Sequence, residues 1–283
     1  MDDMPKLAPV GGARGLTLFY LLTFGIAWGV GLAFALFGPW MVSHFGPVSL
    51  GNPLVFLTVW TPTLVALFAT ACYGGVSGLW AFLARCFRWR IGLHWYLVST
   101  VGLAAVALGA RFVQAWANHT TPPPLFAVAL WPSFAWAGAS MMVLDPGPIG
   151  EDPGWRGFAL PRMLQRFNPT VAAVLLGIVW TVWHLPAFFF SGMPQAVLPV
   201  PQFIVAMVSV TVLMSWVSIN TGGAVIPAIL MHWAFNRFSD LGPQGATFAA
   251  GAYLLAAAAV ILTTGGRLTR RGGPGDRNPP LGA

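Results

Sequence analysis

Long apolar stretches recur along the chain, separated by short segments rich in Arg, Pro and Gly. Each runs close to or beyond the ~18 residues that a helix needs to cross ~30 Å of hydrocarbon. They predict spans at 16–38, 52–73, 93–117, 124–144, 168–190, 200–219, 221–238 and 245–264. Helix is the required conformation, because lipid offers no partner to an open backbone. The expectation is an all-α fold, a polytopic transmembrane helical bundle of about eight spans. The semi-polar segment 146–166 either extends the fourth span or forms a partial helix of its own, which makes nine. No internal repeat is visible. The simplest division is an N-terminal cytoplasmic segment 1–15, a transmembrane domain 16–264 and a Gly-, Pro- and Arg-rich tail 265–283, read as disordered.

Composition excludes a soluble fold, since 57% of the residues are hydrophobic and only 7% charged, against about 25% charged in soluble domains. The net charge of +7 does not point to nucleic acid, because Lys and Arg cluster between apolar stretches without an aromatic-basic platform. Read as topological signals on eight spans, twelve of the fourteen basic residues fall on one side, with Arg111 and Arg237 on the other. The positive-inside rule then makes both termini cytoplasmic in a multi-pass protein of the cell (plasma) membrane. A composition rich in Ala, Gly, Arg and Trp suggests a bacterial source. Cys72 and Cys86 are too few for a disulfide framework and read as apolar filler. The N-terminus lacks the features of a secretory signal peptide, so the first apolar stretch is expected to stay as a span.

In so apolar a chain, ionisable groups at membrane depth are functional candidates by default. Glu151 is the only glutamate, and it lies in the run from Gly150 to Gly157 between apolar stretches. Its ordinary alternative is a charge complementing a helix N-terminus. Asp152 and Arg156 are four apart and can pair on one helix face, which leaves Glu151 available for other work. His184 lies within one span and His232 within another, with Asn236 four residues later on the same face. A lone membrane histidine is often just satisfied by a neighbouring carbonyl, but two histidines and a carboxylate together point to a site. His44, His94 and His119 lie at span ends or in loops and read as interfacial.

Spacing also sets depth. The stretch Arg162 to Pro169 looks like the tip of a helical hairpin, and Glu151 and His184, 33 positions apart, are centred on it between Phe167 and Asn168. They are expected at similar depth, each ~25 Å of helix from the tip at 1.5 Å per residue. Glu151, His184, His232 and Asn236 are therefore expected to converge on one polar cavity, hidden from lipid and open toward the cytoplasmic side where the basic loops lie.

These residues resemble three motifs of the CPBP intramembrane peptidases, the CAAX-processing and bacteriocin-processing (Abi) group that includes the Ras-converting endopeptidase. The motifs are Glu-Glu-x-x-x-Arg, Phe-x-x-x-His and His-x-x-x-Asn; here they read Glu151-Asp152-x-x-x-Arg156, Trp180-x-x-x-His184 and His232-x-x-x-Asn236. The segment from Trp155 to Arg162 is also similar to the family's bacterial branch. The resemblance covers roughly 150–240, with Asp152 in place of the second glutamate and Trp180 in place of the phenylalanine. It implies Glu151 as catalytic base, His184 as the water-positioning group, His232 and Asn236 as oxyanion stabilisers, and Asp152 and Arg156 as an orienting pair. A carboxylate in an apolar cavity suits general-base work, and an amide NH2 suits developing negative charge.

Two histidines and a glutamate are also a possible catalytic zinc set. Using the only glutamate as a ligand would leave Asp152 as the sole nearby base, and no His-Glu-x-x-His helix is present. Glutamate-activated water without a cofactor is favoured, with zinc the minority alternative. The expected activity is endopeptidase cleavage of a membrane-associated peptide or protein, of CAAX type or leader (bacteriocin) type. The partners are that substrate and the lipid bilayer; oligomeric state is left open. Two other readings use the same residues: a proton- or cation-coupled transporter, or a catalytically idle immunity or scaffold protein.

Overall fold

The structure, a computed structural model, describes residues 11–121 and 145–269. Every regular element among them is helical. Six helices are long and apolar enough to cross a membrane: α1 (Gly12–Leu36), α3 (Pro53–Cys86), α4 (Leu93–Ala117), the span Pro169–Phe189 that begins with α7 (Pro169–Trp183), α8 (Val200–Asn220) and α10 (Ala246–Thr263). The remaining helices are short: α2 (Gly38–Phe45), α5 (Pro146–Asp152), α6 (Leu160–Met163) and α9 (Ile226–Phe238). The all-α bundle stands, and the described residues hold six such helices where eight spans were expected for the whole chain. The expected span 124–144 lies outside the described residues. The expected span 221–238 is shortened because Gly222 and Gly223 turn the chain at φ 64° and 79°, so α9 begins only at Ile226. Its 13 residues cover roughly 20 Å at the α-helical rise, too little to cross a bilayer.

Local chemistry sets these ends. Asn52 caps α3 by accepting from the Leu54 and Val55 amides, while its own amide donates to the carbonyls of Phe45, Gly46 and Pro47. One side chain thereby starts a helix and ties down the loop before it. Asn168 caps α7 through the Val171 amide, with Pro169 at the first helical position, which lacks the N–H that would go unpaired there.

The semi-polar segment forms a helical arm of its own. α5 passes into a π-helical stretch, Pro153–Ala159, and then into α6. Pro153 has no N–H to offer the carbonyl of Ile149 one turn back, and the Thr63 hydroxyl of α3 donates to that carbonyl instead, at 3.1 Å. The proline is accommodated and the backbone is rephased directly after Glu151 and Asp152. Gly150 and Gly154, four apart, are what let this arm meet α3 backbone to backbone. A Cβ on Gly150 would lie 2.9 Å from the Val59 carbonyl oxygen, and one on Gly154 only 2.5 Å from the Pro62 carbonyl. Gly154→Ala is therefore expected to push the arm off α3. Its thermal midpoint in detergent should fall by several degrees, whereas Gly25→Ala, where a Cβ meets nothing within 4 Å, should leave it unchanged.

α8 is the most buried of the six spans and packs between α7 and α10. α3 packs on α1, α5 and the π-helical stretch, and α9 lies against α4, α5 and α8. Trp155, fully buried, meets Phe19 of α1 and Trp183 of α7 edge-on, with ring centroids 5.3 and 5.9 Å apart. One end of the bundle gathers the basic residues. There Arg88 donates to the Gly222 carbonyl, the Val225 amide to the Arg85 carbonyl, and Thr170 and Asn220 to the carbonyls of Gly266 and Leu268. Leu268 is fully buried, so the chain just beyond α10 is packed through that residue.

Candidate active site

The three sequence motifs meet where α5, α7 and α9 approach one another. Glu151, Asp152, Arg156 and His232 are all buried, none more than 4% exposed. Asp152 stands at the centre: one carboxylate oxygen lies 2.9 Å from Arg156 Nη1 and the other 2.9 Å from His232 Nδ1. The Arg156 pairing is the expected one; the His232 contact joins α5 to α9 across 80 positions. Arg156 also donates to the Thr211 hydroxyl of α8 at 3.2 Å, and its guanidinium lies 4.2 Å from the centre of the Trp180 ring. The hydroxyl passes its own hydrogen to the Met207 carbonyl. A buried cation is thus held by a carboxylate, a hydroxyl and an aromatic face, the kind of multiple pairing that a charge out of water requires.

Glu151 is held by a different partner. Trp180 Nε1 donates to Glu151 Oε2 at 2.6 Å, so the residue standing where the family has phenylalanine is a hydrogen-bond donor to the glutamate. The sequence comparison of the two aromatics registers only their shape. The same indole lies edge-on to His232 and to His184, with ring centroids 5.1 and 5.6 Å away, and so touches all three candidate groups. Trp180 lies one turn before His184, which caps the end of α7, and the indole thus joins Glu151 to the end of that helix. Trp180→Phe keeps an aromatic ring, though a smaller one, and removes the donor. Cleavage is expected to slow roughly 10-fold or more, the worth of a hydrogen bond to a charged group, with KM little changed. A wild-type rate in that variant would make the indole N–H irrelevant to the base.

His184 Nδ1 lies 2.8 Å from the Trp180 carbonyl, an acceptor only, so Nδ1 carries the hydrogen and Nε2 is the atom presented to a substrate or water. His232 likewise commits Nδ1, to Asp152, and presents Nε2. Asn236 follows His232 by one turn and donates from Nδ2 to Asp145 Oδ2 at 2.9 Å. Asn236 is exposed and His184 half-buried, so the cluster is open on the side of these two residues. Gly147 is buried beside these groups. A Cβ there would meet Asp145 Oδ1 and Glu151 Oε1 at 3.2 Å and Asn236 Nδ2 at 3.6 Å, which puts the three polar groups around one spot kept clear by a glycine.

Sequence reasoning named Glu151, Asp152, Arg156, His184, His232 and Asn236, and these come together. It passed over Asp145, Thr211 and the donor role of Trp180. Asp145 had a legible signal, since it is an acidic residue flanked by apolar stretches and the proline after it marks it as a helix N-cap. Thr211 had none. His44 stacks on Trp40 and His94 contacts Trp95, each on its own helix and apart from the cluster. Among the described residues no three His, Cys, Asp or Glu side chains are disposed to hold a metal ion. His184 and His232 each engage Nδ1 within the protein, and Glu151 Oε2 accepts from Trp180.

Residues 131–238, which contain all three motifs, match the family model described as type II CAAX prenyl endopeptidase, Rce1-like. Over 121 residues the chain is 26% identical to CAAX prenyl protease 2 of Methanococcus maripaludis. That match covers 40% of this chain and 45% of the relative, so the chain spans less than half the length of the protein it resembles. Both comparisons agree with the resemblance read from the motifs.

Proposed function

We propose that the protein is an intramembrane endopeptidase that hydrolyses a peptide bond of a membrane-associated substrate with water activated by Glu151. The observation that carries this reading is the placement of the chain's only glutamate, buried and hydrogen-bonded by Trp180, where the three motifs meet. Glu151 takes a proton from water as the oxygen attacks the scissile carbonyl carbon, and later returns it to the leaving amine as the C–N bond breaks. His184 Nε2 orients the water. The oxyanion accepts hydrogen bonds from the second N–H of Asn236 and from His232 Nε2, which donates in the imidazolium form. Asp152 and Arg156 hold His232 from behind. The chemistry is assigned to side chains alone, without a metal.

The names of the matched family and relative point to a prenylated C-terminal segment as substrate, with a lipid-associated leader peptide as the second class. The side from which substrate enters is the one where Asn236 is exposed. The clustering of Arg85, Arg88 and Arg267 at the bundle end that also carries the packed residues after α10 supports cytoplasmic termini in a bacterial plasma membrane. The reading is tested by incubating the purified chain in detergent with a library of prenylated and leader-type peptides, alongside Glu151→Gln. Cleavage by the wild type alone supports it; no cleavage of any member by the folded protein overturns it.

A further inference from the structure

We propose that Asp145, which no motif includes, is a positioning residue of this site that orients the Asn236 amide toward the developing oxyanion. The inference rests on the peptidase reading above. Asp145 divides its carboxylate between two tasks. Oδ1 accepts the Gly147 amide at 3.0 Å and caps α5; Oδ2 accepts from Asn236 Nδ2 at 2.9 Å and reaches α9, 91 positions away. A carboxylate offers only acceptors, so the NH2 end of Asn236 must face it, and the amide is fixed in one of its two orientations.

A primary amide has two N–H bonds. Once Asp145 accepts one, rotation about the last side-chain torsion is held, and the second N–H is directed rather than free to turn toward any passing acceptor. The direction has a use, because Glu151 Oε1 and Asn236 Nδ2 both border the glycine-lined spot at Gly147. A carbonyl placed there would have the base on one side and a pre-set donor on the other. Preorganisation of this kind is what gives an oxyanion donor its value in the transition state, and it acts on kcat rather than on ground-state binding.

Asp145→Asn isolates this task. Asparagine caps a helix as well as aspartate does, so its Oδ1 can keep the Gly147 amide. Its second atom is then an NH2 facing the NH2 of Asn236, two donors in opposition. The expected result is a fall in kcat on the order of 10-fold with KM unchanged, because a hydrogen bond to a charged acceptor is lost. Asp145→Asn/Asn236→Ala should be no slower than Asn236→Ala alone, since Asp145 acts through Asn236. The exchange Asp145→Asn/Asn236→Asp restores a donor facing an acceptor, so it should recover the melting temperature lost by Asp145→Asn but not the rate, because position 236 no longer has an N–H to offer. A purely structural role for Asp145 would instead lower the melting temperature of Asp145→Asn and leave its kcat below that temperature at the wild-type value.

A wild-type kcat in Asp145→Asn, or losses that multiply in the double variant with Ala, overturns the proposal. A melting-temperature cycle over the same variants separates its failure from that of the peptidase reading. Independent melting shifts show that Asp145 does not hold Asn236 and overturn the positioning itself. Coupled shifts in a protein that cleaves nothing overturn the peptidase reading and with it the oxyanion role.

Discussion

Glu151→Gln is expected to abolish peptide cleavage in a protein that expresses and melts like the wild type. Glutamine has the size of glutamate and still offers an oxygen to the indole N–H of Trp180, so the 2.6 Å contact has a substitute acceptor. Only the proposed base is lost. Of the described carboxylates nearest to it, Asp152 is engaged by Arg156 and His232 and Asp145 by Gly147 and Asn236. General-base catalysis is worth typically ~10²–10⁴ in rate, and the variant should lose at least ~10³ because this base also generates the nucleophile. The measurement is product release per enzyme, with the thermal midpoint of each protein in the same detergent. A variant that is fully folded and cleaves at the wild-type rate would remove Glu151 from the mechanism.

The largest effect on stability is expected from Asp152→Ala. Its removal strands a guanidinium that is 1% exposed and withdraws the acceptor at His232 Nδ1. Breaking a buried pair on one side costs about 3–5 kcal/mol, since the surviving charge keeps its desolvation without compensation. For a chain of this size that corresponds to a fall in melting temperature on the order of 10 °C. Asp152→Glu, which supplies the second glutamate of the family pattern, retains the charge and should recover most of the loss. If Asp152→Ala melts within about 2 °C of the wild type, the contribution of the buried pair lies at the low end of what such pairs show. Cleavage should fall in Asp152→Ala even below its melting temperature, because the His232 ring loses its orientation.

The sequence by itself determined the all-α membrane bundle, because uncharged apolar stretches long enough to span hydrocarbon have no other stable conformation there. It also determined every relation within one helix. Asp152 with Arg156, Trp180 with His184 and His232 with Asn236 are each four apart, and the pitch of a helix puts such pairs on one face whatever surrounds it. Both arms flanking the Phe167–Asn168 tip are helical, as the spacing predicts.

Tertiary structure decided the rest. The expected span 221–238 is lost because the turn at Gly222 and Gly223 takes residues that hydropathy assigns to a helix, and apolar content does not register backbone direction. The partners of Asp152 on α9, of Glu151 on α7 and of Asn236 before α5 lie 80, 29 and 91 positions away. Spacing carries no information across such distances. Those pairings depend on how closely the helices approach and at what rotation, and both are set by contacts such as Gly150 and Gly154 against the carbonyls of Val59 and Pro62. A glycine in a sequence signals that close approach is permitted. Only the packed helices decide which backbone takes the space, and so which polar groups are carried into contact.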